Sequence, residues 1–124
     1  MCRCNRRDIA AFCRDAVSFA CCDGCFDLLH RIAGGEEQWR ARPFVSNTNC
    51  FVVPPMKFAE ESCMTMERCI RGGMPVLLLS AGQAGATAPA PLATAIVQAV
   101  AECLAGVVYV NALAPGHPAV FGTW

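Results

Sequence analysis

The sequence predicts an α/β fold, part of a (β/α)8 TIM barrel. About three parallel strands, two crossover helices and additional N-terminal helices are expected. Three observations lead there. From Pro43 to Gly122 the apolar pattern runs strand, helix, strand, helix, strand, with short joints. Val76-Leu77-Leu78-Leu79 is an uninterrupted apolar run of the kind buried on both faces of a parallel sheet. Charge is also confined: of the 10 Lys+Arg and 10 Asp+Glu, all but Glu102 lie at or before Arg71. The half of the chain after Arg71 is therefore expected to be largely buried.

The elements follow in order. Asp8 to Ala33 has helical spacing at Ile9, Phe12, Cys13, Ala16 and Phe19, then at Leu28, Leu29 and Ile32, with a break expected at Asp23-Gly24. Gly34-Gly35 is a helix stop, and Glu36 to Trp39 adds a turn. Pro43 to Asn49 reads as a short strand, and Cys50 to Pro55 as an apolar loop. Phe58 to Arg71 is an amphipathic helix with Cys63, Met66, Cys69 and Ile70 on one face, ended by Gly72-Gly73. After the apolar strand comes the hardest stretch. Val107 to Val110 has strand propensity, but the helical period runs straight through it. One helix from about Pro91 to Leu113 is expected. Ile96, Val97, Val100, Leu104, Val107, Val108 and Asn111 form one stripe, with Gln98, Glu102 and Tyr109 on another. Pro118 to Gly122 is the third strand. Three strands with two apolar faces neither close a barrel nor cover themselves, which implies part of a larger barrel.

Net charge of zero and a pI of about 6.7 point to no nucleic-acid partner and no anionic membrane surface. Leu92 to Ala114 is long enough to span a bilayer. Gln98 and Glu102 at its centre and the lack of basic flanks argue against a membrane span. Charges interrupt any apolar run after the basic Met1 to Arg7, so a cytoplasmic chain with reduced thiols is expected despite 10 cysteines.

Ligands of parallel sheets sit beyond the C-terminal ends of the strands. That rule selects Asn47, Thr48, Asn49 and Cys50, then Ser80, Gln83 and Thr87, then Gly122, Thr123 and Trp124. The glycine-rich loop from Ala81 to Pro91 lacks the Lys of a phosphate-binding loop. Pro89 and Pro91 remove two amide donors at the helix start, so a small ligand of little negative charge fits better. Cys2, Cys4, Cys21 and Cys25 have spacings compatible with a zinc or iron–sulfur ligand set. Cys13, Cys50, Cys63, Cys69 and Cys103 read as small core residues. No metal is assigned. His30 reads as a helix-surface residue, and His117 sits in a Pro-Gly-His-Pro turn. Glu102, if buried, must be paired or protonated, and Gln98 one turn earlier is a candidate partner.

A set of short motifs then carries a family resemblance. They are Gly34-Gly35-Glu36-Glu37, Arg42-Pro43, Pro54-Pro55, Gly73-Met74-Pro75-Val76, Gly85-Ala86-Thr87-Ala88-Pro89, Ala101-Glu102-Cys103-Leu104-Ala105-Gly106 and Pro115-Gly116-His117-Pro118-Ala119-Val120. In this order and spacing, residues 34–124 resemble the trimethylamine methyltransferase family, including its members without pyrrolysine. Residues 1–35 then read as a Cys-rich helical segment, and residues 36–124 as a fragment of a methyltransferase barrel domain. The resemblance implies methyl transfer from a methylated amine, trimethylamine or a quaternary amine such as glycine betaine, to the Co(I) of a corrinoid. The corrinoid is carried by a partner protein, and no cofactor is bound directly.

A quaternary ammonium is recognised by aromatic faces in a desolvated pocket. Asn49, Phe51, Ser80, Gln83, Thr87, Phe121 and Trp124 are accordingly the expected substrate-binding residues, with the catalytic residues unassigned. The exposed apolar edges also allow self-association. Two other readings stay open: a non-enzymatic Cys-rich metal-binding or regulatory protein, and a small membrane protein anchored by residues 92–114.

Overall fold

Three parallel strands organise the chain. The computed structural model describes residues 23–123; the helical spacing from Ile9 to Phe19, Cys2, Cys4, Cys21 and Trp124 lie outside the described residues. Helix α1 (Asp23–Ala33) opens on Asp23-Gly24 and stops where expected. Gly34 takes φ 89°, which glycine adopts without a Cβ penalty, and the Gly35 amide closes the end on His30 O at 2.8 Å. Helix α2 (Glu36–Ala41) then buries Trp39 completely. The Trp39 indole N–H donates to Gly72 O at 2.8 Å, tying α2 to the end of the next long helix.

Strand β1 (Asn47–Asn49) is shorter than the Pro43–Asn49 expected. Its neighbour begins opposite Asn47, so residues 43–46 have no ladder to join. The expected Cys50–Pro55 loop holds β2 (Val52–Val53), which pairs antiparallel with β3 (Lys57–Phe58), so Phe58, expected to start the next helix, ends a strand instead. The turn between them holds Pro54-Pro55 with a cis bond, and Met56 at φ 52°.

Helix α3 (Glu60–Arg71) has Glu60 and Glu61 in its first turn and Arg68 and Arg71 in its last, matching the helix dipole at both ends. It buries Thr65, Met66, Cys69 and Ile70. Strand β4 (Val76–Ser80), helix α4 (Leu92–Leu113) and strand β5 (Ala119–Thr123) complete the chain. The helical period through Val107–Val110 does override strand propensity. His117 Nε2 lies 3.0 Å from Met74 O and, facing a carbonyl, must donate, so the α4–β5 turn is pinned to the start of β4.

The sheet order is β1-β4-β5, all parallel. Register pairs Asn49 with Leu78, Leu78 with Phe121, and Ser80 with Thr123. Strand alternation then divides the sheet. Asn47, Asn49, Val76, Leu78, Ser80, Ala119 and Phe121 share the face covered by α3 and α4. Thr48, Leu77, Leu79 and Val120 share the other face, where Val120 is exposed.

Helix α4 departs from expectation. It is long and apolar enough to cross a membrane by length and composition. It packs on the sheet through Glu102, Cys103, Gly106 and Val110. The aliphatic residues Ile96, Val97, Val100, Leu104 and Val108 are exposed. The largely buried C-terminal half expected from its lack of charge is therefore corrected. The reason is steric and polar. A Cβ at Gly106 would come within 2.4 Å of Phe51 Cζ, so the missing side chain is what lets Phe51 pack there. Glu102 finds its donors on the same face, as described next. A small residue and a satisfied carboxyl outweigh an aliphatic stripe in choosing the packed side.

Candidate functional site

The parallel arrangement brings the C-terminal ends of β1 and β4 to one edge of the sheet. From that edge rise the β1–α3 segment (50–59) and the β4–α4 loop (81–91). The Glu102 side chain lies below them, 2% exposed, and collects three donors. Ser80 Oγ donates to Oε2 at 2.5 Å, the Met56 amide to Oε1 at 2.9 Å, and Gln98 Nε2 to Oε1 at 3.1 Å. Gln98 Nε2 also donates to Thr87 O at 3.1 Å. One carboxyl on α4 thus holds the end of β4, the β2–β3 turn and, through Gln98, the β4–α4 loop. Met56 at φ 52° costs about 1–2 kcal/mol. The hydrogen bond its amide makes to Glu102, at about 0.5–1.5 kcal/mol, offsets much of that cost.

The β4–α4 loop satisfies several of its own amides. Gly85 N–H donates to Ala88 O, and the amides of Ala86, Thr87 and Ala88 all reach Gln83 O at 2.9–3.0 Å. The Gln83 amide donates to Thr87 Oγ1 at 2.9 Å. The amides of Gln83, Gly85, Ala86, Thr87 and Ala88 are thus turned inward on the loop itself.

The expected site residues separate into three groups. Asn49 and Ser80 are buried on the helix-covered face: Asn49 Nδ2 donates to Ser62 O at 3.0 Å, and Ser80 belongs to Glu102. Phe51 is 0% exposed and stacks edge-on with Phe58 at 5.4 Å. Phe121 is half-exposed but shares Leu78's face, the side the helices cover. Gln83 and Thr87 are exposed on the loop. Trp124 lies outside the described residues.

Sequence reasoning paired Glu102 with Gln98 and missed its two other partners. Ser80 and Met56 are 22 and 46 residues away in the chain. The signal available was a lone acid in an apolar helix, with a serine ending the buried strand.

Beside Glu102, Cys103 Sγ lies 3.2 Å from Gly122 O, and burial pushes its thiol up from the ordinary value. Among the described residues no group of three or more His, Cys, Asp or Glu is placed to hold a metal ion. Three of the four cysteines proposed as a ligand set lie outside those residues.

With this geometry in place, comparison with known proteins is decisive. The profile of trimethylamine methyltransferases (MTTB) matches residues 20–124. The chain belongs to the trimethylamine methyltransferase family. A trimethylamine methyltransferase of Methanosarcina mazei is 33% identical over 98 residues, covering 78% of this chain and 20% of that protein. One from Desulfitobacterium hafniense is 32% identical over 94 residues, covering 74% and 18%. A proline betaine:corrinoid methyltransferase of Eubacterium limosum is 30% identical over 76 residues, covering 61% and 16%. The chain spans about a fifth of the length of the curated relatives it matches. The family match includes α1 and every strand of the sheet.

Proposed function

We propose that this chain forms three strands and two crossover helices of a (β/α)8 barrel. That barrel moves a methyl group from a methylated amine to the Co(I) of a corrinoid carried by a separate protein, which is a substrate of the reaction. The family match over residues 20–124 is the observation that carries this reading. The relatives named above include a trimethylamine methyltransferase and a proline betaine:corrinoid methyltransferase, which supports a tertiary or quaternary methylamine as the substrate class.

The residues suit that chemistry. A quaternary ammonium has no N–H to donate, so recognition rests on an uncharged, desolvated surface and aromatic faces. Glu102 is the only charged residue after Arg71, and its carboxyl is buried and fully engaged. In this reading Gln83, Thr87 and Trp124 meet the amine, while Asn49 and Ser80 hold the strand ends beneath them.

A chimera tests the assignment. Residues 34–124 replace the matching stretch of the Methanosarcina mazei relative. The product is assayed with trimethylamine, glycine betaine or proline betaine and a Co(I) corrinoid protein. Formation of methylcobamide is expected. A folded chimera that methylates no corrinoid from any of the three amines overturns the reading. The 124-residue chain alone is expected to show no turnover.

A further inference from the structure

We propose that Gln98 is a positioning residue for the amine, holding the β4–α4 loop in place over the ligand edge of the sheet. The proposal rests on the function given above, which puts the substrate at that edge. Gln98 stands one turn before Glu102 on α4, about 6 Å nearer the helix start and so nearer the loop. Both N–H bonds of its amide are engaged: Nε2 donates to Thr87 O at 3.1 Å and to Glu102 Oε1 at 3.1 Å. The partners fix this orientation. Turned over, the Gln98 carbonyl would face two acceptors, since Glu102 Oε1 already accepts from the Met56 amide.

Three observations give this contact its weight. The loop is closed on itself: the amides of Ala86, Thr87 and Ala88 share Gln83 O, Gly85 N–H reaches Ala88 O, and the Gln83 amide reaches Thr87 Oγ1. A unit bonded this way keeps its shape but needs an outside tie to keep its place. Among the described residues, the side-chain hydrogen bond that joins it to the rest of the chain is the one from Gln98. That bond ends on the main chain of Thr87. Thr87 and Gln83 are the exposed loop residues assigned to the amine above, so holding Thr87 O sets where both side chains stand. Glu102 Oε1 also takes the Met56 amide at 2.9 Å, so Gln98 links the loop to the β2–β3 turn across the edge. All of these bonds lie within residues 56–102, independent of what the rest of a barrel adds.

The chimera described above tests this, assayed with whichever of the three amines it turns over. Gln98→Met keeps the length of the side chain and removes both donors, and Gln98→Ala removes the side chain. Each is expected to raise the KM for the amine about tenfold, the net worth of roughly one hydrogen bond. The kcat and the KM for the corrinoid protein are expected to stay within about twofold, because the loop holds the amine equally before and during transfer. Gln98 is only part-buried, so both variants are expected to keep the circular dichroism of the parent chimera. An unchanged amine KM in both variants overturns the proposal. So does a fall in kcat while the amine KM holds, which is the mark of lost folded enzyme. Unfolding of both variants assigns Gln98 to stability alone and equally overturns it. A chimera with no turnover removes the proposed function and this role together, whereas a working chimera whose variants keep the amine KM removes this role alone.

Discussion

Ser80 and Glu102 are joined by a 2.5 Å hydrogen bond across 22 residues of chain, between the last residue of a buried strand and the middle of the helix that follows. The bond fixes how far α4 can slide along β4. Through Met56 and Gln98 it also fixes where two loops stand above the sheet edge.

Removing the hydroxyl leaves Glu102 Oε2 buried without that donor. Ser80→Ala is expected to lower stability by about 1–3 kcal/mol, and Glu102→Gln, which turns an amide N–H₂ toward donors, by a similar or larger amount. Urea denaturation followed by circular dichroism measures both. A Ser80→Ala loss below about 0.5 kcal/mol, the range of ordinary surface substitutions, contradicts the role given to this bond.

Gly106→Ala drives a methyl group into the Phe51 ring, where the approach would be 2.4 Å. Overpacking of this kind costs about 1–3 kcal/mol. Phe51→Leu also destabilises on its own, by opening a void. The double variant is expected to be more stable than the sum of the two losses, with a coupling of about 0.5–3 kcal/mol. Strict additivity in the denaturation cycle is the result that separates the two residues.

Burial raises the thiols of Cys63 and Cys103 above their ordinary value of 9.0 and the Tyr109 phenol above 10.0. All three are neutral when protonated, and the folded state favours that form. Their stabilisation is complete below the unfolded-state values. It declines as pH rises past about 9 and is lost as pH passes through the raised folded values. Denaturation midpoints are therefore expected to hold from pH 7 to pH 8.5 and then fall. Peptide mass spectrometry after iodoacetamide at pH 8 should find exposed Cys50 labelled well before Cys103. Equal labelling of the two in the folded chain contradicts the burial argument.

Much of this was legible in the sequence, for identifiable reasons. Val76-Leu77-Leu78-Leu79 marked a buried strand because nothing polar interrupts it. The helix through Val107–Val110 was readable because a 3.6-residue period persists across 22 residues. The β2–β3 pair was not readable, since two-residue strands carry no period and the prolines between them look like loop. The exposure of α4's aliphatic stripe was not readable, because the lack of charge after Arg71 argued for burial throughout. Here Gly106 and the donors around Glu102 decided it, and neither a close approach nor a distant hydroxyl leaves a local pattern. Phe51 was placed at the ligand edge by position alone, and its burial follows from contacts with α4 far along the chain.

The tie between Glu102 and the β2–β3 turn runs through the backbone of Met56, not its side chain. An alanine scan passes over such a link, because every residue except proline brings the same N–H. Within what φ 52° tolerates, which disfavours β-branched residues, residue 56 can vary in size and polarity while the anchor beneath it stays in place. Variation there reshapes the rim above the sheet edge without disturbing the carboxyl that supports it.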